Sequence, residues 1–359
     1  MTDIHIRIKN LTKRFGHVIA VDNVSMNIER GSFTTFLGPS GCGKTTTLRL
    51  IAGLYNVDQG EIYFGERCVN DVPSHQRNAT MVFQDYALFP HMTIFENVSY
   101  GLKIKRLPTH EIEVRVKKML RFLGLEGLGA RTPGMISGGQ QQRAALARAL
   151  VMEPEVLLLD EPLSNLDAKL RVNIRAELRQ IQKSLGITAI YVTHDQEEAL
   201  ALSDSIAVMH NGRVVQFGTP WDIYYKPMST FVADFVGVAN FIHGKISEVK
   251  PQEILVDIGD QTLKLDAHQY RVSAGDKVVL NIRPETIAMS AQIPNAQVNL
   301  LKGEIKTHTF VGQFTRYWVT CGMREFVVDM HDPSALGILE GSVSLQLPPS
   351  KLHLLPVEE

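Results

Sequence analysis

Cysteine is scarce: the 359 residues contain three, Cys42, Cys68 and Cys321. That is too few, and they are too scattered, for a disulfide framework or a zinc site, which points to a reducing cytosol. Charge of one sign is also missing. Lys and Arg number 37 against 38 Asp and Glu, a net charge of −1, so the chain as a whole presents no field for nucleic acid or an anionic membrane. Long apolar runs are absent too. The strongest, Val156–Leu159, stops at Asp160, far short of the ~20 residues of a membrane helix. The first residues, Met1–Arg7, lack the apolar core of a signal peptide. The expectation is a cytoplasmic protein whose membrane role, if any, comes through a partner. What is present is ordinary globular composition, 44% hydrophobic and 21% charged, at a length that suggests two domains at ~150 residues each.

The first two-thirds alternates short apolar strands with longer helical segments, the pattern of an α/β domain with a mostly parallel sheet. Strands are expected at Phe33–Leu37, Thr80–Phe83, Val156–Asp160, Thr188–Thr193 and Ser205–His210. Helices are expected at Lys44–Gly53, His110–Leu123, Gly139–Met152, Ala168–Leu185 and Gln196–Leu202. Residues 85–152 carry no strong strand signal and read as a helical insertion. After Gly237 short β-type runs take over between Gly, Asp and Pro, as in a small all-β barrel or sandwich. Domains are therefore expected at 1–236 and 240–359. The second carries 11 Lys and Arg against 14 Asp and Glu, leaving −3 there and +2 in the rest, neither of which suggests nucleic acid.

Gly38-Pro-Ser-Gly-Cys-Gly-Lys-Thr45 fits G-x-x-x-x-G-K-[ST] between an expected strand and an expected helix, the context that gives the motif meaning. Gly38, Ser40, Gly41, Cys42 and Gly43 would turn backbone N–H groups toward phosphate oxygens, and the helix N-terminus adds partial positive charge. Lys44 is expected on the β and γ phosphates. Thr45 is expected on Mg²⁺, with Thr46 beside it. Such a loop serves kinases, GTPases, motors and transporters alike. The chain has no Asn-Lys-x-Asp for guanine, so adenine is expected.

Val156–Leu159 ends in Asp160-Glu161, two acids at the carboxyl edge of a parallel sheet, where ligands of such sheets bind. Asp160 is expected to hold Mg²⁺ and Glu161 to polarise the attacking water as general base. His194 follows a second apolar strand and would reach the same edge. Ile136-Ser-Gly-Gly-Gln-Gln-Gln-Arg143 opens a helix just before the Asp160 strand. Ser137 is a natural N-cap there, and Gly138 and Gly139 leave the helix start bare, a second anion cradle that a single ATP does not need.

On these motifs the chain resembles the ATP-binding-cassette (ABC) ATPases over nearly its whole length. The resemblance implies an α/β P-loop NTPase cassette with a RecA-like core and a helical subdomain, then a small β-barrel-like domain of TOBE type. It implies that Ser137, Gly138, Gly139 and Gln140 form the signature that completes the ATP site of a second copy. Gln84 corresponds to a glutamine that touches Mg²⁺ and reports to membrane subunits. Asp167, in Ser164-Asn-Leu-Asp167, belongs to a loop that crosses the dimer interface, His194 is a switch histidine, and Phe15 is an aromatic that stacks on adenine, although it could equally be a core residue. Asn281-Ile-Arg-Pro-Glu285 and Phe310-Val-Gly312 carry the likeness of the tail.

The function this implies is the ATP-hydrolysing subunit of a bacterial solute importer. It would use ATP and Mg²⁺, pair with itself, and dock on two transmembrane permease subunits at the cytoplasmic face of the inner membrane. A periplasmic or lipid-anchored solute-binding protein would be an indirect partner. Gln140-Gln-Gln-Arg143 resembles polyamine, ferric-iron or phosphonate systems more than sugar systems. The alternatives are a sugar or other-solute importer, and a soluble cassette protein that transports nothing. The β domain could also bind an effector.

Overall fold

Continuous apolar strands in one sheet and alternating strands in the others set the layering of the molecule. The structure, a computed structural model, describes residues 3–267, 270–291, 298–331 and 337–357; the remainder of the expected 240–359 domain lies outside the described residues. The chain divides into two compact units, Met1–Pro220 and Trp221–Glu359.

In chain order the first unit runs β1 (Ile4–Phe15), β2 (Val18–Glu29), β3 (Phe33–Leu37), α1 (Lys44–Ile51), β4 (Gln59–Phe64), β5 (Arg67–Cys68), β6 (Ala79–Val82), α2 (Ile94–Ile104), α3 (Thr109–Phe122) and α4 (Gly138–Leu150). It continues with β7 (Val156–Asp160), α5 (Ala168–Leu185), β8 (Thr188–Thr193), α6 (Gln196–Leu202), β9 (Ser205–His210) and β10 (Arg213–Gly218). The central sheet has the order β10-β9-β3-β8-β7-β6 and is parallel except at β10. A second, antiparallel sheet has the order β2-β1-β4-β5.

β7 is buried at every residue, as a parallel strand covered on both faces must be. Its period-2 side chains divide between two cores. Leu157 and Leu159 join Phe33, Tyr191 and the buried faces of α2, α3, α4 and α5. Val156 and Leu158 join Phe36, Val192, α1 and the inner face of the antiparallel sheet. Each fully buried leucine contributes about 1.5–3 kcal/mol, so β7 is pinned in register and its last residues, Asp160 and Glu161, have a fixed place at the sheet edge. The helical insertion between β6 and β7 is three helices. Two of them open with a reciprocal cap, Thr93 with Glu96 and Ser137 with Gln140.

The second unit consists of α7 (Pro220–Tyr225), which straddles its start, α8 (Thr230–Phe235), β11 (Asn240–Val249), β12 (Glu253–Asp257), β13 (Thr262–Asp266), β14 (Lys277–Ile282), β15 (Ala288–Ser290), β16 (Leu300–Phe310), β17 (Phe314–Cys321), β18 (Arg324–His331), β19 (Ser342–Gln346) and β20 (His353–Pro356). Two five-stranded antiparallel sheets, β13-β12-β11-β14-β20 and β15-β19-β16-β17-β18, share one core. This unit begins ahead of the change in texture expected after Gly237. The reason is Arg283, whose buried guanidinium donates to the carbonyls of Tyr224, Ala233, Gly237 and Val238 and so ties both short helices to the strands that follow.

Candidate nucleotide site

The Gly38–Thr45 loop leaves β3 at the carboxyl edge of the parallel sheet and enters α1 directly. Two of its glycines answer to space. A Cβ on Gly38 would sit 2.3 Å from the Met209 carbonyl oxygen, and one on Gly43 2.3 Å from that of Ala20. Gly43 also has φ 103°, the left-handed region that favours glycine. The Lys44 ammonium is folded into its own loop, donating to the carbonyls of Gly38 at 2.8 Å and Pro39 at 2.9 Å. Ser40 and Gly41 are exposed and Thr46 is half-buried. The Cys42 thiol is buried, and burial pushes its pKa up, with the nearby Lys44 pulling the other way. It is therefore a packed side chain rather than a thiolate nucleophile.

Thr45 Oγ1 donates to Asp160 Oδ1 at 2.9 Å, joining the start of α1 to the end of β7 across 115 residues of sequence. Burial raises the Asp160 pKa, opposed by the Thr45 hydrogen bond and by Arg49, whose guanidinium lies 3.8 Å from Oδ2. One hydroxyl and one carboxylate, both hard oxygen donors, form the set that magnesium prefers.

Glu161 leaves the strand with φ 46°, a left-handed conformation that costs a non-glycine residue about 1–3 kcal/mol. The turn directs the carboxylate to 3.2 Å from His194 Nδ1. His194 caps the edge just after β8, and its side chain is 58% exposed. Gln84, also exposed, donates from Nε2 to Ser164 Oγ at 3.3 Å, while its carbonyl accepts from Asn165 at 3.0 Å. Ser164 Oγ in turn donates to the Glu161 carbonyl. Lys44, Thr45, Asp160, Glu161, His194 and Gln84 thus come from four separate stretches to one sheet edge.

The Ser137–Gln140 segment stands apart. Gln140 N donates to Ser137 Oγ, and Ser137 N donates to Gln140 Oε1, so these side chains cap α4 and bond each other. Gly139 is packed against α5, where a Cβ would lie 3.2 Å from Leu170 and Ile174. Asp167 is exposed and caps α5 through Leu170 N at 2.9 Å. Phe15 is not a core residue. It is 45% exposed, with Tyr55 edge-on at 5.4 Å and Lys13 Nζ 5.5 Å from its centroid. Sequence reasoning passed over Arg49, and placed Ser164 and Asn165 in the Asp167 loop without a part at Gln84. Arg49 had a helical signal, one turn beyond Thr45 on the same helix, whereas the partners of Gln84 become visible only when β6 and β7 are paired.

The sequence model of the family described as "ABC transporter" matches residues 21–164 and that of the "TOBE domain" residues 280–355. A spermidine/putrescine import ATP-binding protein, PotA, of Clostridium novyi is 43% identical over 355 residues, 99% of each chain. The chain belongs to the ABC transporter family. Within it, the Fe(3+) ions import ATP-binding protein FbpC of Fusobacterium nucleatum is 45% identical over 315 residues, 88% of this chain and 83% of that one. Among solved structures, cbiO1 from Clostridium perfringens, part of the ABC transporter complex cbiONQ, is 33% identical with a TM-score of 0.58, covering 65% of this chain and 93% of that one. A dimeric ABC cassette, MJ0796, bound to ADP and Pi, is 33% identical with a TM-score of 0.54, covering 60% and 98%. This ABC cassette with its TOBE domain is a nucleotide-binding ATPase of the importer class.

Proposed function

We propose that this ABC ATPase drives import of a small cationic solute, with a polyamine as the first reading. The observation that carries it is the match to the spermidine/putrescine import protein, which runs through both units to 99% of each chain. Ferric iron is the second reading, favoured by the 45% identity to the Fe(3+) import protein over a shorter span.

In the proposed chemistry the Lys44 ammonium exchanges its two loop carbonyls for the β and γ phosphates of ATP, and the loop's N–H groups, from Gly41 to Thr46, cradle the same oxygens. Thr45 and Asp160 would hold Mg²⁺, which supplies charge neutralisation on the phosphates; Gln84, at the same sheet edge, would report on that site. Glu161 accepts the proton of the attacking water, and His194, within hydrogen-bond reach of that carboxylate, orients the γ-phosphate side. Phe15, 45% exposed, offers aromatic surface for adenine. The Ser137–Gln140 cap has no partner at the Lys44 loop of its own chain, which supports a role in trans: two copies, head to tail, with Asp167 at the seam.

No described helix is long and apolar enough to cross a membrane, so we assign translocation to permease subunits and place this protein at the cytoplasmic face of the bacterial inner membrane. An apolar groove of about 780 Å³, lined by Val114, Met119, Phe122, Val151, Leu185 and Ile187, is the surface we assign to the permease. Arg115, Lys118, Arg121 and Glu153 line it as well, so the fitting segment is apolar at its centre with polar flanks. A separate solute-binding protein would deliver the cation.

The test replaces the native copy with Lys44→Ala and follows uptake of radiolabelled spermidine and of ferric iron. Loss of polyamine uptake alone is expected. Loss of iron uptake alone would select the second reading, and loss of neither would overturn both.

A further inference from the structure

Three loops meet at the carboxyl edge of the first unit: the one carrying His194, the Ser164–Asp167 loop, and the one carrying Gln84. A single side chain spans the first two. Arg171, in the first turn of α5, donates from Nη2 to the Leu166 carbonyl at 3.0 Å and from Nη1 to Asp195 Oδ2 at 3.4 Å, with Nε 3.8 Å from Glu198. Its own backbone N–H is bonded to the Asp167 carbonyl, so it moves with the start of the helix that Asp167 caps. We infer that Arg171 is a positioning residue that sets His194 against Glu161 through Asp195, and that it carries a displacement of the Ser164–Asp167 loop to that pair.

The surroundings of His194 favour this arrangement. The residues on either side of it are held by several bonds each, while its own side chain, 58% exposed, rests on the Glu161 carboxylate. Asp195 N donates to Thr193 Oγ1 at 3.0 Å, and Asp195 Oδ1 accepts from Glu198 N at 3.1 Å, capping α6. The hydroxyls of Thr193 and Tyr191 both donate to the buried Glu198 carboxylate at 2.7 Å. On the α5 side, Asp195 Oδ2 accepts from Arg171 and from Arg175, at 3.4 and 3.3 Å. Arg175 also reaches Glu197 but has no bond to the Ser164–Asp167 loop. Arg171 alone of the two joins both loops.

The planar guanidinium can serve a carbonyl and a carboxylate at once from two nitrogens, which an ammonium cannot do with the same geometry. The opposite end of the Ser164–Asp167 loop is fastened to Gln84 through Ser164 and Asn165. Glu161, His194, Asp195, Arg171, Leu166 and Ser164 therefore form a closed ring of contacts and chain, shut by the Ser164 hydroxyl on the Glu161 carbonyl, with Gln84 attached at Ser164. A second copy seated against Asp167 would push on one side of that ring, with His194 on the other. The inference rests on the proposed roles of Glu161, His194 and the Asp167 loop.

A plain ion pair clamping α5 to α6 would look alike in a static structure, so the test separates stability from geometry. Arg171→Met, Asp195→Asn and the double variant are compared with His194→Ala in steady-state ATP hydrolysis. ATP-dependent dimerisation is measured for Arg171→Met in a Glu161→Gln background. We expect Arg171→Met to lower kcat by about tenfold, as a displaced reacting group does, with KM for ATP within about twofold and dimerisation retained. The double variant should be no slower than the slower single variant, because both cut the same link. Unchanged kcat in Arg171→Met, additive losses, or a raised KM with loss of the dimer would each overturn the inference. Full turnover by His194→Ala would instead overturn the reading on which it rests.

Discussion

Polar side chains in the second unit and those at the sheet edge of the first are held in different ways. In the second unit, Arg283, Arg316 and Asn299 are used up internally. Arg283 serves four backbone carbonyls, Arg316 makes a two-pronged pair with Asp329, and Asn299 bridges Lys264 and Leu347 by three hydrogen bonds. In the first unit, the polar side chains at the sheet edge hold replaceable partners. Lys44 is bonded to carbonyls of its own loop, His194 touches one carboxylate, and Gln84 touches one hydroxyl. Saturated groups act as struts, because losing one partner strands another in a low-dielectric interior. Groups with spare capacity can take a ligand without breaking the fold. The difference predicts that substitutions at that sheet edge change turnover far more than stability, and that those of the second unit's saturated groups do the reverse.

The largest effect should come from Glu161→Gln. Loss of a general base costs about 10²–10⁴ in rate, while the amide fills the same space and should leave ATP binding and ATP-driven dimerisation in place. Steady-state phosphate release measures the first, and size-exclusion chromatography with ATP and magnesium the second. Rapid hydrolysis by this variant would break the comparison at its centre. A smaller effect of opposite kind is expected from Arg283→Met. Four carbonyls would lose their donor at a site where Arg283 is 3% exposed, costing about 3 kcal/mol. Both tryptophans of the chain, Trp221 and Trp318, lie in the second unit, so their fluorescence in urea reports that unit selectively. Its midpoint should fall while ATP turnover in the absence of urea stays at the wild-type rate.

How much of this was legible beforehand follows the same division. The Gly38–Thr45 loop and the Asp160-Glu161 pair could be read because a local string at the end of a short, fully buried strand is enough to fix their place. β7 and β8 were legible for the same reason, as runs of mostly apolar residues. The β1–β2 hairpin was missed: its apolar residues alternate, but a two-residue turn at Gly16-His17 offers little signal, and its partner β4 is distant in sequence. The start of α2 was missed although Thr93-x-x-Glu96 is a capping-box pattern. The partners that orient Gln84 and His194 were not legible, since contacts such as Gln84–Ser164 and Arg171–Asp195 exist only once separate strands are paired. The early start of the second unit was hidden as well, because one arginine some fifty residues downstream decides it.

The smallest expected effect concerns His353, and it tests whether the second unit's struts respond to acid. His353 Nδ1 lies 2.9 Å from the Tyr270 hydroxyl and Nε2 2.9 Å from the Pro227 carbonyl. Burial lowers its pKa, with Lys226 and Arg283 acting the same way and the Pro227 hydrogen bond opposing them. The folded unit therefore prefers the neutral ring, while the unfolded chain takes up a proton near the ordinary value of about 6.5. Between those two values the unfolded state binds more protons, so stability must fall as pH drops through that window and level off below the folded value. A glutamine at this position can hydrogen-bond without titrating. His353→Gln should flatten the dependence of the urea midpoint on pH, read from tryptophan fluorescence between about pH 7.5 and 5.5. Its change at neutral pH should be only a fraction of the Arg283→Met effect. An unaltered slope in the variant would show that the acid response of the second unit resides elsewhere, and that the ring of His353 is a spacer between Tyr270 and Pro227.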